Sequence, residues 1–142
     1  MTWVGARGAL TTLITNLGYR VVHLSPSSAE AVSAVTVVIA PPPRQSERMA
    51  GVRITTYAQR LDVIAPVGES ADAAALDVDA AAEAIDAALD RSITFGGEAT
   101  SVSPVEWEGV EPLEVPEDSG TWFAAMRGVI QIEVETIAAF AA

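Results

Sequence analysis

The chain has 142 residues, half of them apolar, with eight arginines, no lysine, one histidine, no cysteine and nineteen acids, for a net charge of −11. This composition excludes disulfides and thiol chemistry, and it fits one domain over residues 1–142 with enough apolar mass for a core. The acidic balance argues against general nucleic-acid binding, which needs clustered Lys and Arg.

The charges are sorted along the chain. Residues 1–60 carry Arg7, Arg20, Arg44, Arg48, Arg53 and Arg60 against Glu30 and Glu47, a net of +4. Residues 61–142 carry Arg91 and Arg127 against seventeen acids, a net of −15. No apolar run reaches the roughly 18 residues needed to span a bilayer, so no membrane partner is expected. The start, Met1–Gly8, lacks a basic stretch leading into an apolar run, and a secretory leader is not expected.

In chain order, Val4, Leu10, Leu13, Ile14 and Leu17 fall near helical spacing and predict a helix over 2–17 that stops at Gly18. Tyr19–Leu24 reads as a short strand, Ser25–Ser28 as a turn, and Ala29–Ala34 as a short helical turn. Val35–Ala40 is β-branched and apolar, a buried strand ended by Pro41-Pro42-Pro43. Gly51–Pro66 predicts a long strand. Val52, Ile54 and Thr56 have one parity and Leu61, Val63 and Ala65 the other, so a bulge is expected near Tyr57–Arg60. Ser70–Arg91 is a helix with Ser70 as N-cap, Asp72 in its first turn and an apolar stripe of Val78, Ala81, Ala82, Ile85, Ala88 and Leu89. Its polar face holds Asp72, Asp79, Glu83, Asp86 and Asp90. Glu98–Trp107 and Thr121–Ile137 form a final antiparallel pair around an acidic, turn-rich connection, Glu108–Gly120, with Ala138–Ala142 as a small-residue tail. The order α-β-β-β-α-β-β predicts an α+β fold: a mainly antiparallel sheet packed by two helices, with a long C-terminal β-hairpin.

Catalytic apparatus is not legible. His23 has no G-x-S-x-G serine to serve and reads as structural. The i, i+4 carboxylates Asp79/Glu83 and Asp86/Asp90 lack a calcium-type loop, so they read as a solvated or assembly-facing acidic surface rather than a metal site. Gly96-Gly97 lies outside any phosphate-loop pattern and reads as a turn. No cofactor and no catalytic residue is expected. The Pro41–Arg48 stretch has two open readings, a polyproline partner-binding arm or a stiff surface connection. Trp122 is expected in the core, Trp3 under the first helix, and Trp107 at an acidic hairpin tip as an interface anchor.

The stretch RLDVIAPVGESADAAALDVDAAAEAIDAAL (Arg60–Leu89), followed by SVSPVEWEGVEPLEV and by GTWFAAMRGVIQIEV (Gly120–Val134), resembles tail-terminator (tail completion) proteins of long-tailed bacteriophages. VTVVIAPPP (Val35–Pro43) after a leading helix adds to the likeness, which covers the whole chain in layout and Gly51–Val134 in detail. The resemblance implies a homo-hexameric ring in the virion, made in the host cytoplasm, between the major tail tube protein and a head–tail connector or stopper protein. DNA would pass through without specific binding, and the family offers no catalytic residues. Within that picture, Arg44, Arg48, Arg53 and Arg60 are expected at a subunit interface with Trp107, Glu108 and Glu111. Asp72, Asp79, Glu83, Asp86 and Asp90 are expected to line the channel or the interface. Two other readings remain open, a head–tail connector of the neck and an acidic module that binds a basic partner.

Overall fold

The computed structural model describes residues 3–23, 34–68, 70–91, 101–116 and 122–139. Two helices and six strands appear among them: α1 Trp3–Asn16, β1 Arg20–His23, β2 Thr36–Ile39, β3 Arg44–Met49, β4 Val52–Pro66, α2 Ala71–Asp90, β5 Ser101–Pro116 and β6 Trp122–Ala139. The strands form one sheet in the order β1-β2-β4-β6-β5, with β3 attached to β4. Among the described strands only β1–β2 is parallel. The fold is α+β, as the element order predicts.

β4 organises the sheet. One of its edges pairs with β6 over its whole length, Val52↔Ala139 through Pro66↔Ala125. The other edge is shared: β3 takes Val52–Tyr57 and β2 takes Leu61–Ile64. Between them runs the proline segment. Ala58 donates its N–H to the Pro43 carbonyl at 3.1 Å, and the buried Gln59 amide donates to the Ala40 carbonyl at 2.9 Å. Proline supplies no N–H, so a carbonyl and a side-chain amide hold the junction instead.

The core lies on one face. Leu61, Val63 and Ala65 of β4 join Val37 and Ile39 of β2 and Ile130, Ile132 and Val134 of β6. Ala6, Leu10 and Ile14 of α1 and Val78, Ala81, Ala82, Ile85 and Leu89 of α2 close over them. Both helices therefore cover the same side of the sheet. The predicted α2 stripe is buried residue for residue, with Ala74 added. Ser70 caps α2 by accepting from the Ala73 N–H at 3.0 Å. Most α2 core residues are small, which lets the helix axis approach the strands.

Four expectations are corrected. Val4 is 63% exposed and not part of the α1 core stripe, which runs Ala6, Leu10, Ile14 at intervals of four. β4 has no bulge: its register against β6 is one to one, and Thr55, Tyr57, Gln59, Leu61, Val63 and Ala65 form one buried row. Arg44–Met49 is neither a polyproline arm nor a connection but an exposed strand. It meets β4 through a two-residue turn, Ala50-Gly51, with φ of 47° and 80°. Two positive φ angles are the signature of the tight hairpin turn whose twist matches the strands, and glycine suits the second position. Finally, β5 continues through Glu108–Pro116, so most of the expected connection is strand. The predicted turn and helical segment at 25–33, the Gly96-Gly97 turn, residues 117–120, the end of the tail and the side chains of Trp3 and Trp122 lie outside the described residues.

Candidate functional site

Opposite residues in an antiparallel ladder share a face, so the registers sort the charged side chains. β4 and β6 pair Asp62 with Val129, Arg60 with Gln131 and Ala58 with Glu133, all on the face turned away from the helices. β5 departs from regular pairing twice, between Pro104 and Glu106 and between Glu108 and Glu111. Each irregularity adds one residue to β5 and reverses its parity. Glu106, Glu108 and Glu111 thereby pair with Gln131, Val129 and Arg127, and all three join the helix-free face. Without the second bulge, Glu111 would point the other way.

These side chains frame an open depression of about 510 Å³ lined by Arg60, Glu108, Gly109, Val110, Glu111, Arg127 and Val129. Asp62 sits between the two arginines, 2.7 Å from Arg60 Nε and 3.8 Å from Arg127 Nη1. Arg127 also pairs with Glu111 through Nη2. Its Nε is buried without a hydrogen-bond partner among the described residues. The hydrogen bond that Arg60 donates to Asp62, opposed by partial burial and helped by the charges of Asp62, Glu108 and Glu111, holds the Arg60 guanidinium above its ordinary value. Glu106 and Glu108 make no ion pair among the described residues. The same face carries Glu47, Glu133 and Glu135, and Arg20 on β1, so among the described residues seven acids stand there against three arginines.

Three arginines lie on the other face. β3 and β4 pair Arg44 with Tyr57, Ser46 with Thr55 and Arg48 with Arg53. Tyr57 belongs to the core row, so Arg44, Arg48 and Arg53 lie on the helix side of the sheet, on a hairpin that extends past the helices. Arg48 and Arg53 are directly opposite each other, a like-charge arrangement that costs stability in an isolated hairpin. The expected set is thus divided. Arg44, Arg48 and Arg53 come together, while Arg60 lies on the opposite face with Glu108 and Glu111.

Trp107 is likewise not at a hairpin tip. It sits within β5 opposite Ile130, on the helix side, 36% exposed, with its ring over Gly128. A Cβ at position 128 would collide with that ring, so the close approach requires glycine. His23 is exposed on β1 and bonds through Nε2 to Thr11 Oγ1 at 3.1 Å, tying β1 to α1. Among the described residues, no three His, Asp or Glu side chains converge as a metal-binding group. No helix there is long and apolar enough to cross a membrane.

No family model matches the chain, and no curated protein matches it.

Asp72, Asp79, Glu83, Asp86 and Asp90 are all exposed on α2, as expected, and Asp77 joins them. Partial burial, then the neighbouring Asp90, push the Asp86 carboxyl above its ordinary 3.8. A raised folded value means that the folded chain holds this proton more tightly than the unfolded chain. Its contribution is complete below the unfolded value and is lost as pH rises through the folded one. Asp86→Asn is therefore expected to raise the Tm slightly at pH 7, on the scale of about 0.2–0.5 kcal/mol for a like-charged i, i+4 pair. The advantage should shrink towards zero below pH 3.8, as read by thermal melts across pH.

Proposed function

We propose that this chain is a structural virion protein that forms a homo-hexameric ring at the head-proximal end of a phage tail tube and joins the tube to the head–tail connector. The observation that carries the reading is the placement of opposite charges on opposite faces of one sheet, the Arg44–Arg48–Arg53 hairpin on the helix side and the Glu106–Glu108–Glu111 surface on the other. Head-to-tail rings join one patch to a different patch on the next copy, and such a pair supplies both halves of the junction. The sequence resemblance of Arg60–Leu89 and Gly120–Val134 to tail-terminator proteins supports the same reading. On this reading the α2 acids face the channel or a neighbouring virion protein, and like charge keeps passing DNA from adhering.

A second reading, an acidic module that binds a basic partner, draws on α2 itself, twenty residues with six acids and no basic side chain. Light scattering after size-exclusion chromatography separates the two. The ring account expects six copies of the 14.8-kDa chain, about 89 kDa, and annular particles by negative-stain microscopy. A monomer or dimer at every concentration supports the module instead. A ring that fails to co-sediment with tail tubes of the same phage points to a connector of the neck rather than a terminator.

A further inference from the structure

The chain offers two acidic surfaces that an arginine hairpin from another copy can meet, the α2 face and the helix-free face of the sheet. They differ in direction. Arg44 and Arg53 lie on the side of the sheet that α2 covers, whereas Glu106, Glu108 and Glu111 lie on the other side. Sheet twist turns the hairpin relative to the helices but does not exchange the two faces. Patches that point the same way can meet only if one copy is turned over, which gives a two-fold pair that uses each patch twice and stops at two. Patches that point in opposite directions can meet when the next copy is shifted and modestly rotated, and that contact repeats until a ring closes.

We propose that the arginine face of the β3–β4 hairpin docks into the depression on the helix-free face of the next copy, with Arg44 and Arg53 meeting Glu106 and Glu108. This inference rests on the ring reading and deepens it by naming the acceptor. Charge complementarity supports it. Asp62 and Glu111 are already engaged with Arg60 and Arg127, while Glu106 and Glu108 are the acids near the depression that make no ion pair among the described residues. A guanidinium presents five donors in a planar fork suited to carboxylates. The two bulges of β5 then have a use, because they turn three glutamates onto the acceptor face. The acids of α2 take no part in closing the ring and remain for another partner.

Cross-linking tests this cleanly because the chain has no cysteine of its own. Ser46→Cys on the hairpin is combined either with Gln131→Cys on the helix-free face or with Ala87→Cys on the exposed side of α2. Both doubles are treated with a short bis-maleimide after light scattering has established their assembly state. The expected result is a ladder of linked copies for Ser46/Gln131 and no linked copies for Ser46/Ala87. Linking of Ser46/Ala87 in place of Ser46/Gln131 overturns the proposal, and so does a ring in which neither double links; in the latter case the ring reading survives. A Ser46/Gln131 ladder that closes at a number other than six upholds the docking and refutes the hexamer. A chain that stays monomeric throughout refutes the ring and the docking together.

Discussion

Replacing Arg44 and Arg53 by glutamate is expected to yield a folded chain that no longer assembles. Both side chains are exposed on β3 and β4, and neither takes part in the ion pairs around Asp62. The substitutions leave the core untouched, and they replace the like-charge pair Arg48↔Arg53 with an opposite-charge pair, so the monomer is not penalised. The junction is affected differently. Two attractions become two repulsions, at about 1.5–3 kcal/mol per junction, which is roughly 10- to 100-fold in the affinity of each contact. A closed ring repeats that loss at every junction. Native mass spectrometry should therefore show monomer for the double variant where the parent shows a ring, with unchanged circular dichroism. A double variant that assembles like the parent removes the hairpin from the interface.

Leu61→Ala is expected to cost a large share of the stability. Leu61 is fully buried at the point where β2, β4 and β6 meet beneath the helices, opposite Ile39 on one side and Ile130 on the other. Truncation removes buried methyl groups and leaves a cavity between a helix layer and three strands that are fixed by their ladders. Core leucine truncations of this kind cost about 2–5 kcal/mol. Leu61→Met keeps the volume and should cost less than about 1.5 kcal/mol. Denaturant titration of the two variants checks the pair. A loss below ~1 kcal/mol for Leu61→Ala would mean that the layers above and below the residue collapse freely, contrary to the packing described here.

What the sequence disclosed and what it concealed follow from which side chains are covered. α2 was legible nearly to the residue because a serine cap, a first-turn acid and a 3.6-residue stripe all agree. β4 was legible as a strand but not in its phase. Its first half extends past the helices, so Val52 and Ile54 are half-exposed on the wrong parity while the polar Thr55 and Gln59 occupy the buried row. That reads as a face switch. The phase matters at the site: Arg53 and Arg60 are seven residues apart, so they share a face only if a bulge lies between them. With β4 regular they oppose each other, and the expected arginine cluster divides. β3 was hidden because it is wholly exposed, carries no alternation and turns on Ala50-Gly51 rather than the usual Asn-Gly. The bulges of β5 scrambled the alternation of Glu106–Pro116, which made strand read as loop. That same irregularity gathers the glutamates of the depression, so the feature that hid the strand is also the one that builds the candidate acceptor.

On the proposed ring reading, copies join hairpin to helix-free face in a directional, repeating contact. Its most direct test mixes two variants, each unable to assemble alone: one with Arg44→Glu and Arg53→Glu, the other with Glu106→Arg and Glu108→Arg. Every junction in an alternating mixture is complementary, since a native hairpin meets a native acceptor and a reversed hairpin meets a reversed acceptor. Native mass spectrometry of the equimolar mixture should show a ring of six with three copies of each variant. Failure of the mixture to assemble, or a heterodimer that stops at two copies, would contradict the account.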